Sequence, residues 1–241
     1  MKKLLLLTTV SAFAVCLVFL GSCFKEELIT QSISGKVSLY LYDKKFQDNG
    51  MSVYLVSNDG TQVSETNDLG EYSFQDVPEG SYDLHFEHNG FGTYKIFNVT
   101  HNSIGPTDID SVLKLQTQSH IQITQTSTSV VSDTVMIEGL CEPGPSSPYS
   151  SYLRVLFGRD PGTNPLNYEY YSPIYSTIYN PAILTFNKVE LYSMGFQTGD
   201  KVYFYLAGES LFSNEYFDPN SGIQMFPNLN EEAGTGSFIV P

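Results

Sequence analysis

An all-β chain is predicted, folded as two antiparallel β-sandwich domains in tandem behind a secretory signal. Three observations predict it. Apolar and polar residues alternate in short runs along most of the chain, the pattern of strands with one buried face. Clusters of Gly, Pro, Asn and Asp separate those runs as turns do. The strands of residues 32–116 carry no apolar repeat of helical period.

The chain opens with a basic end, Met1-Lys2-Lys3, an apolar run from Leu4 to Leu20, and then Gly21-Ser22-Cys23. That order is a secretory signal. Leu20-Gly21-Ser22-Cys23 resembles the lipobox of bacterial lipoproteins, although Gly21 stands where Ala or Ser is commoner. The resemblance implies a signal peptide over 1–22, lipidation of Cys23 and a lipidated tether over 23–31. Two alternatives stay open: an apolar segment kept as an uncleaved anchor, since about 17 residues is near the lower limit for a span, or an ordinary Cys23 after plain cleavage. Lys25-Glu26-Glu27 resembles the short signal that sends Bacteroidetes lipoproteins to the outer face of the outer membrane. It implies a lipid anchor in that membrane, with the protein facing the cell exterior; a periplasm-facing anchor stays open as the alternative.

The 241 residues carry 26 acids against 12 Lys and Arg, for a net charge of −14. Lys2 and Lys3 leave with the signal, so the mature chain is at −16. Nucleic acid is excluded as a partner, because phosphate binding needs clustered cations. Anionic headgroups are repelled too, which leaves the lipid as the bond to the membrane. Of three cysteines, Cys16 leaves with the signal and Cys23 takes lipid. Cys141 is then expected to be a buried, unreactive thiol without a disulfide partner.

In order, Val37, Leu39 and Leu41 share one face of the first strand, with Ser38, Tyr40 and Tyr42 on the other. After Gly50 come Met51, Val53 and Leu55, and Asn58-Asp59-Gly60 is a hairpin signal. The run 61–66 ends at the turn Asn67-Asp68-Leu69-Gly70. Tyr72 and Phe74 alternate with Glu71 and Ser73; Pro78-Glu79-Gly80 turns again; Tyr82, Leu84 and Phe86 alternate with Asp83, His85 and Glu87. Asn89-Gly90 precedes a strand from Phe91 to Val99, and Leu113 and Leu115 mark another. Gly35-Lys36-Val37, Val53-Tyr54-Leu55, the run from Asn67 to Phe74 and the run from Val77 to Leu84 together resemble the carboxypeptidase regulatory-like domain, a transthyretin-like sandwich. That family's role is usually non-catalytic folding, spacing or docking, so the resemblance implies such a module over 32–116.

Gln116 to Ser119 reads as a polar linker, and a second domain follows over 119–241. Its strands are marked by Ile121 and Ile123, by Val135 and Ile137, by Leu153, Val155 and Phe157, by the run Leu184 to Leu191, by Lys201 to Ala207 and by Gly236 to Val240. Glu142-Pro143-Gly144-Pro145 breaks regular structure. Phe157-Gly158-Arg159-Asp160-Pro161 and the run Thr198 to Ala207 resemble a fibronectin type III or related immunoglobulin-like sandwich, with Tyr203 in the place of that fold's corner tyrosine. The family's early tryptophan is missing, for the chain has no Trp. The stretches Pro161–Pro181 and Ser210–Gly234 exceed plain loops.

No catalytic set converges in the sequence, and no cofactor or metal is implied. In His85-Phe86-Glu87-His88 a strand sends His88 away from His85 and Glu87, so the cluster reads as solvated polar residues. Asp218-Pro219-Asn220-Ser221-Gly222 reads as a turn with too few oxygens for calcium. Seven of the 17 tyrosines fall between Tyr149 and Tyr179. Tyr168, Tyr170, Tyr171 and Tyr175 are the candidate ligand-binding residues, because tyrosine joins an apolar face to a polar tip; cross-strand packing is the competing reading. Asp110-Ser111-Val112 and Asp133-Thr134-Val135 resemble Bacteroidetes O-glycosylation triplets, which implies modification at Ser111 and Thr134.

Together the two halves resemble small Bacteroidetes lipoproteins associated with outer-membrane glycan uptake. The expectation is a non-catalytic, membrane-anchored surface lipoprotein, a binding or accessory module serving glycan capture. Its partners would be the membrane, through the N-terminal lipid, and a glycan or an outer-membrane protein. The alternative is a structural or adhesive subunit of a cell-surface protein assembly.

Overall fold

A computed structural model describes residues 30–42, 44–102, 104–109, 111–145 and 150–241. The signal, Cys23, Lys25-Glu26-Glu27 and Tyr149 lie outside the described residues. The described chain is all-β apart from one short helix. None of its helices is long and apolar enough to cross a membrane.

The first sandwich holds β1 (Thr30–Leu41), β2 (Lys44–Lys45), β3 (Ser52–Ser57), β4 (Gly60–Glu65), β5 (Glu71–Pro78), β6 (Gly80–Glu87), β7 (Tyr94–His101), β8 (Thr107–Asp108) and β9 (Leu113–Gln116). One sheet runs β2–β1–β5, with β8 and β9 parallel to β1; the other runs β4–β3–β6–β7. Period-two alternation puts Ile33, Val37, Leu39, Phe74 and Val77 of the first sheet against Met51, Val53, Leu55, Leu84 and Phe86 of the second. Leu41 and Tyr42 run past this core and are exposed. The β6–β7 hairpin resumes at Tyr94, three residues later than the turn signal suggests, because Phe91 instead bridges to Thr117. Strand β1 starts inside the stretch read as tether, since Thr30 and Gln31 pair with Pro78 and Val77. Gly70 answers a backbone demand: its φ is +76°, and a Cβ there would stand 2.1 Å from the Val37 carbonyl oxygen.

The second sandwich holds β10 (Gln122–Val131), β11 (Thr134–Glu142), β12 (Ser151–Gly158), β13 (Tyr170–Tyr171), β14 (Tyr175–Thr177), β15 (Ala182–Asn187), β16 (Lys201–Glu209), β17 (Tyr216–Asp218), β18 (Ile223–Met225) and β19 (Gly234–Ile239). One sheet is β10–β11–β15; the other is β13–β12–β16–β19, with β14 also on β12. Val135, Ile137, Leu153, Val155, Phe157, Phe186, Val202, Phe204 and Leu206 fill the space between them.

The run Leu184 to Leu191, expected as one strand, divides. Strand β15 stops at Asn187 and helix α1 (Lys188–Ser193) begins. Asn187 caps it: its side chain accepts from the Glu190 amide, while the Glu190 carboxylate accepts from the Asn187 amide. Alternation from Leu184 to Phe186 masks a capping box whose one buried helical residue is Leu191. Tyr203 also departs from the corner-tyrosine expectation. It is half-buried on β16 under the Lys201 ammonium, 5.0 Å from its ring centroid, and among the described residues its hydroxyl donates to no backbone carbonyl.

The two long stretches have structural work. Leu156 and Ala207, on the outer face of β12–β16, are buried under Phe226 and Leu229, with Tyr168 and Tyr205 packed alongside. Strand β12 is therefore covered on both faces. The segment after β16 also clamps the first sandwich. The Phe212 amide donates to Gln116 Oε1 (2.6 Å) and Ser210 Oγ donates to the Thr117 carbonyl (2.6 Å). Asn214 accepts from the Gln116 amide (2.9 Å) and donates to the Lys114 carbonyl (2.6 Å). Phe212 meets Tyr40 edge-on at 5.0 Å, and Tyr216 meets Tyr94 at 5.7 Å. Gly92 lies so close that a Cβ would stand 2.0 Å from the Pro227 carbonyl oxygen. Gln116 and Ser119, read as part of a polar linker, are buried by this clamp.

Candidate functional site

A charge in an apolar strand organises the candidate site. Arg154 points out of β12, away from the core that Leu153 and Val155 enter, and is buried. Its guanidinium makes four hydrogen bonds. Nε donates to Glu209 Oε2 (3.0 Å), Nη1 to the Ser172 carbonyl (2.8 Å), and Nη2 to Ser213 Oγ (3.1 Å) and Glu215 Oε2 (3.0 Å). Phe226 stacks beneath it at 4.2 Å. Burial pushes the Glu209 carboxyl up; the Ser210 amide, Arg154 and Ser213 pull the other way. The set fixes the strand, the Tyr171–Pro173 turn and the clamp to one another. Held by four hydrogen bonds, Arg154 is a positioning group.

Beside it lies an open cleft of about 540 Å³, lined by Tyr94 and Leu113 from the first sandwich and by Arg154, Tyr171, Ile174 and Glu215 from the second. Of the four candidate tyrosines, Tyr171 is the most exposed. Its ring lies 4.9 Å from Phe226 and 5.7 Å from the Arg154 guanidinium. The other three are part-buried. Tyr168 donates to the Gln224 carbonyl (2.8 Å) and packs on Phe226, and burial pushes its phenol up to about 12. Tyr170 packs on the main core, and Tyr175 meets Phe186 edge-on at 5.9 Å. Strand alternation thus turns Tyr170 inward and Tyr171 outward.

A second cleft, about 490 Å³, lies at the seam of the two sandwiches. Tyr42, Gln118, His120, Ile121, Ser151 and Tyr152 contribute to its walls. Tyr42 and His120 meet edge-on at 4.5 Å.

The remaining singled-out residues are placed as follows. Ser111 is exposed; Thr134 is half-buried at the start of β11, between Val131 and Asn187. Cys141 is buried, and burial pushes its thiol up. His88 meets Phe91 edge-on at 5.1 Å. Among the described residues no three His, Cys, Asp or Glu side chains gather as metal ligands. Asp218 closes the β17–β18 turn by accepting from the amides of Asn220 and Gly222. Sequence reading missed Arg154, Glu209, Glu215, Tyr94 and the Tyr42–His120 pair. For Arg154 a signal was present, a lone cation inside Leu153-Arg154-Val155-Leu156-Phe157. For the others there was none, because their partners are distant in sequence: Glu209 and Glu215 meet Arg154 within the second sandwich, and Tyr94, Tyr42 and His120 meet theirs across the seam.

No family model and no curated protein matches the chain. Among solved structures it is similar to a provisionally assigned carbohydrate-binding protein from Bacteroides uniformis, at 13% identity and a TM-score of 0.30, covering 87% of this chain and 99% of that one. It is also similar to a DUF3823 family protein from Parabacteroides merdae, at 10% identity and a TM-score of 0.29, with the same coverages of 87% and 99%. The major pilin subunit BcpA of Bacillus cereus matches at 10% identity and a TM-score of 0.29, covering 87% of this chain and 68% of that one. At these TM-scores no function passes from them to this chain.

Proposed function

We propose that the chain is a non-catalytic surface lipoprotein, anchored in the outer membrane through lipid on Cys23, that holds a glycan at the cell exterior. The observation that carries this reading is the open cleft in which Tyr171 and Tyr94 face polar groups already fixed by Arg154. An aromatic face beside carboxylate and amide groups suits a sugar ring, which is apolar on one side and hydroxyl-bearing around its rim. Such a site binds without needing a nucleophile or a free base. The 12 residues of β1 separate the tethered end from the seam by about 36 Å at ~3.3 Å per residue, so the first sandwich lifts both clefts away from the lipid.

Retention on gels containing neutral polysaccharides tests the reading. Wild type is expected to be retarded and Tyr171→Ala to run freely, with circular dichroism showing that the variant remains folded. Equal mobility on every polysaccharide overturns glycan capture. Cys23→Ala is expected to move the protein from membrane to soluble fraction, and continued membrane retention would identify the apolar segment as an uncleaved anchor. Assembly is the second reading, favoured by β15. This strand ends its sheet, holds no charge from Ala182 to Asn187 and exposes Ile183, features that invite strand addition.

A further inference from the structure

We infer that the seam cleft is itself a saccharide site, taking a neutral mono- or disaccharide between Tyr42, His120 and Tyr152; this deepens the glycan reading above and rests on it. A volume of about 490 Å³ falls in the ~300–1,000 Å³ range of small-ligand sites.

The charge balance of the walls selects a neutral ligand. Glu209 is the acid on the wall, and it is already neutralised by Arg154 and bonded by Ser210 and Ser213. Desolvation lowers His120 from its ordinary value, which disfavours its charged form in the cleft. Asp48, the buried acid near this end of the first sandwich, is paired with Lys45 at 2.8 Å. Lys44, exposed, is the cation among the lining residues.

The shape of the polarity selects a sugar. Tyr42, Tyr152 and His120 offer flat faces, and Ile121, Leu211 and Pro143 offer apolar surface. Gln118, Ser150 and Ser151 offer amide and hydroxyl groups on the same walls. Ser151 is decisive. It is 1% exposed and its Oγ has no hydrogen-bond partner in the protein. A buried hydroxyl without a partner is disfavoured, so a ligand that brings its own hydroxyl gains where an apolar ligand would not. Tyr42 comes from the end of the first sandwich and Tyr152 from the second, so the site exists only while the clamp holds the two together.

Titration calorimetry tests this on the detergent-solubilised full chain with glucose, galactose, mannose, N-acetylglucosamine, maltose, cellobiose and xylobiose, and with galacturonic acid as a charged control. At least one neutral sugar is expected to bind. Tyr42→Ala should weaken it at least 10-fold, the loss of one aromatic contact and its buried area. Ser151→Ala removes an unpartnered hydroxyl, leaves folding intact and should weaken binding about 3–10-fold. If a neutral sugar binds with undiminished affinity to both variants but is lost with Tyr171→Ala, the seam site is overturned and glycan capture stands. If only galacturonic acid binds, the neutral assignment falls. If no polysaccharide on the gels and no sugar in the panel binds wild type, both readings fall.

Discussion

The two sandwiches differ in how they bury polar groups. The first keeps its polar interior small and local. Asp48 accepts from the Leu39 amide (2.9 Å), Thr66 bridges the Met51 amide and the Asp48 carbonyl, and His101 lies between Thr107 and Val77. Each closes a loop onto a neighbouring strand. The second buries an ion pair on the outer face of β12–β16 and covers it with its own long stretches. The difference teaches where each gets its definition. In the first, two sheets packed face to face suffice. In the second, one sheet face would be wet without the clamp, and Arg154 ties the clamp down. The region that looks like loop in the sequence is therefore what gives the second sandwich its site and joins it to the first.

The largest effect expected to break this contrast is Arg154→Ala. It strands Glu209 in the interior, a loss of about 3–5 kcal/mol. Hydrogen exchange read by mass spectrometry should show β12, β16 and the clamp deprotected while β3 and β6 stay protected. A loss below about 1 kcal/mol, or equal deprotection in both halves, would show that the pair does not organise the second sandwich. Arg154→Met with Glu209→Gln should recover part of the loss, since the uncompensated charge is gone.

Next comes the seam. Asn214→Ala removes an acceptor for the Gln116 amide and a donor to the Lys114 carbonyl, worth about 1–3 kcal/mol. Urea unfolding is expected to be a single transition in wild type and to separate into two in the variant. If wild type already unfolds in two steps, the clamp does not couple the sandwiches.

A smaller effect sharpens the local account of the second sandwich. Asn187→Ala removes the side-chain half of the capping box and should cost about 1 kcal/mol, read as a lower urea midpoint. Asn187→Asp, which can still cap, should restore most of it. An unchanged midpoint for Asn187→Ala would mean that Leu191, not the cap, places the helix.

The smallest is a pH effect. Burial lowers the folded pKa of His85 on the first sandwich, with Lys95 adding to it and Asp83 and Glu87 opposing, and burial lowers that of His120 at the seam. A lowered histidine value means that the unfolded chain binds the proton more readily. The stability contribution is therefore full above the unfolded value of about 6.5 and is lost as pH falls towards the lower folded value. Glu209, raised by burial, acts with the opposite sign, so each histidine must be isolated by its own variant. The stability gap between wild type and His85→Gln, and likewise His120→Gln, should change between pH 7 and 5 to the disadvantage of wild type. A gap independent of pH would show that neither ring titrates differently on folding.

Much of the fold was legible because one face of most strands is buried. Tyr72, Phe74, Leu84 and Phe86 announce their strands by alternation alone, and Asp68-Leu69-Gly70 announces its turn by a glycine at positive φ. The candidate site was less legible. Tyr168, Tyr170, Tyr171 and Tyr175 stood out by composition, yet which of them faces out depends on register against β12 and on Phe226, 55 residues beyond Tyr171. Helix α1 escaped because six residues are too short to show a helical period, and its capping box was hidden in a strand-like run.

By itself, the sequence determined the all-β class, the strand faces of the first sandwich and the net negative charge, because these follow from local alternation, turn residues and summed charge. Only the tertiary structure decided that Arg154 is paired, that the stretch after β16 is a clamp, and that Tyr42 and Tyr152 face one cleft. Those facts are contacts between residues roughly 50 to 110 positions apart, and no local period records which distant strand a side chain will meet.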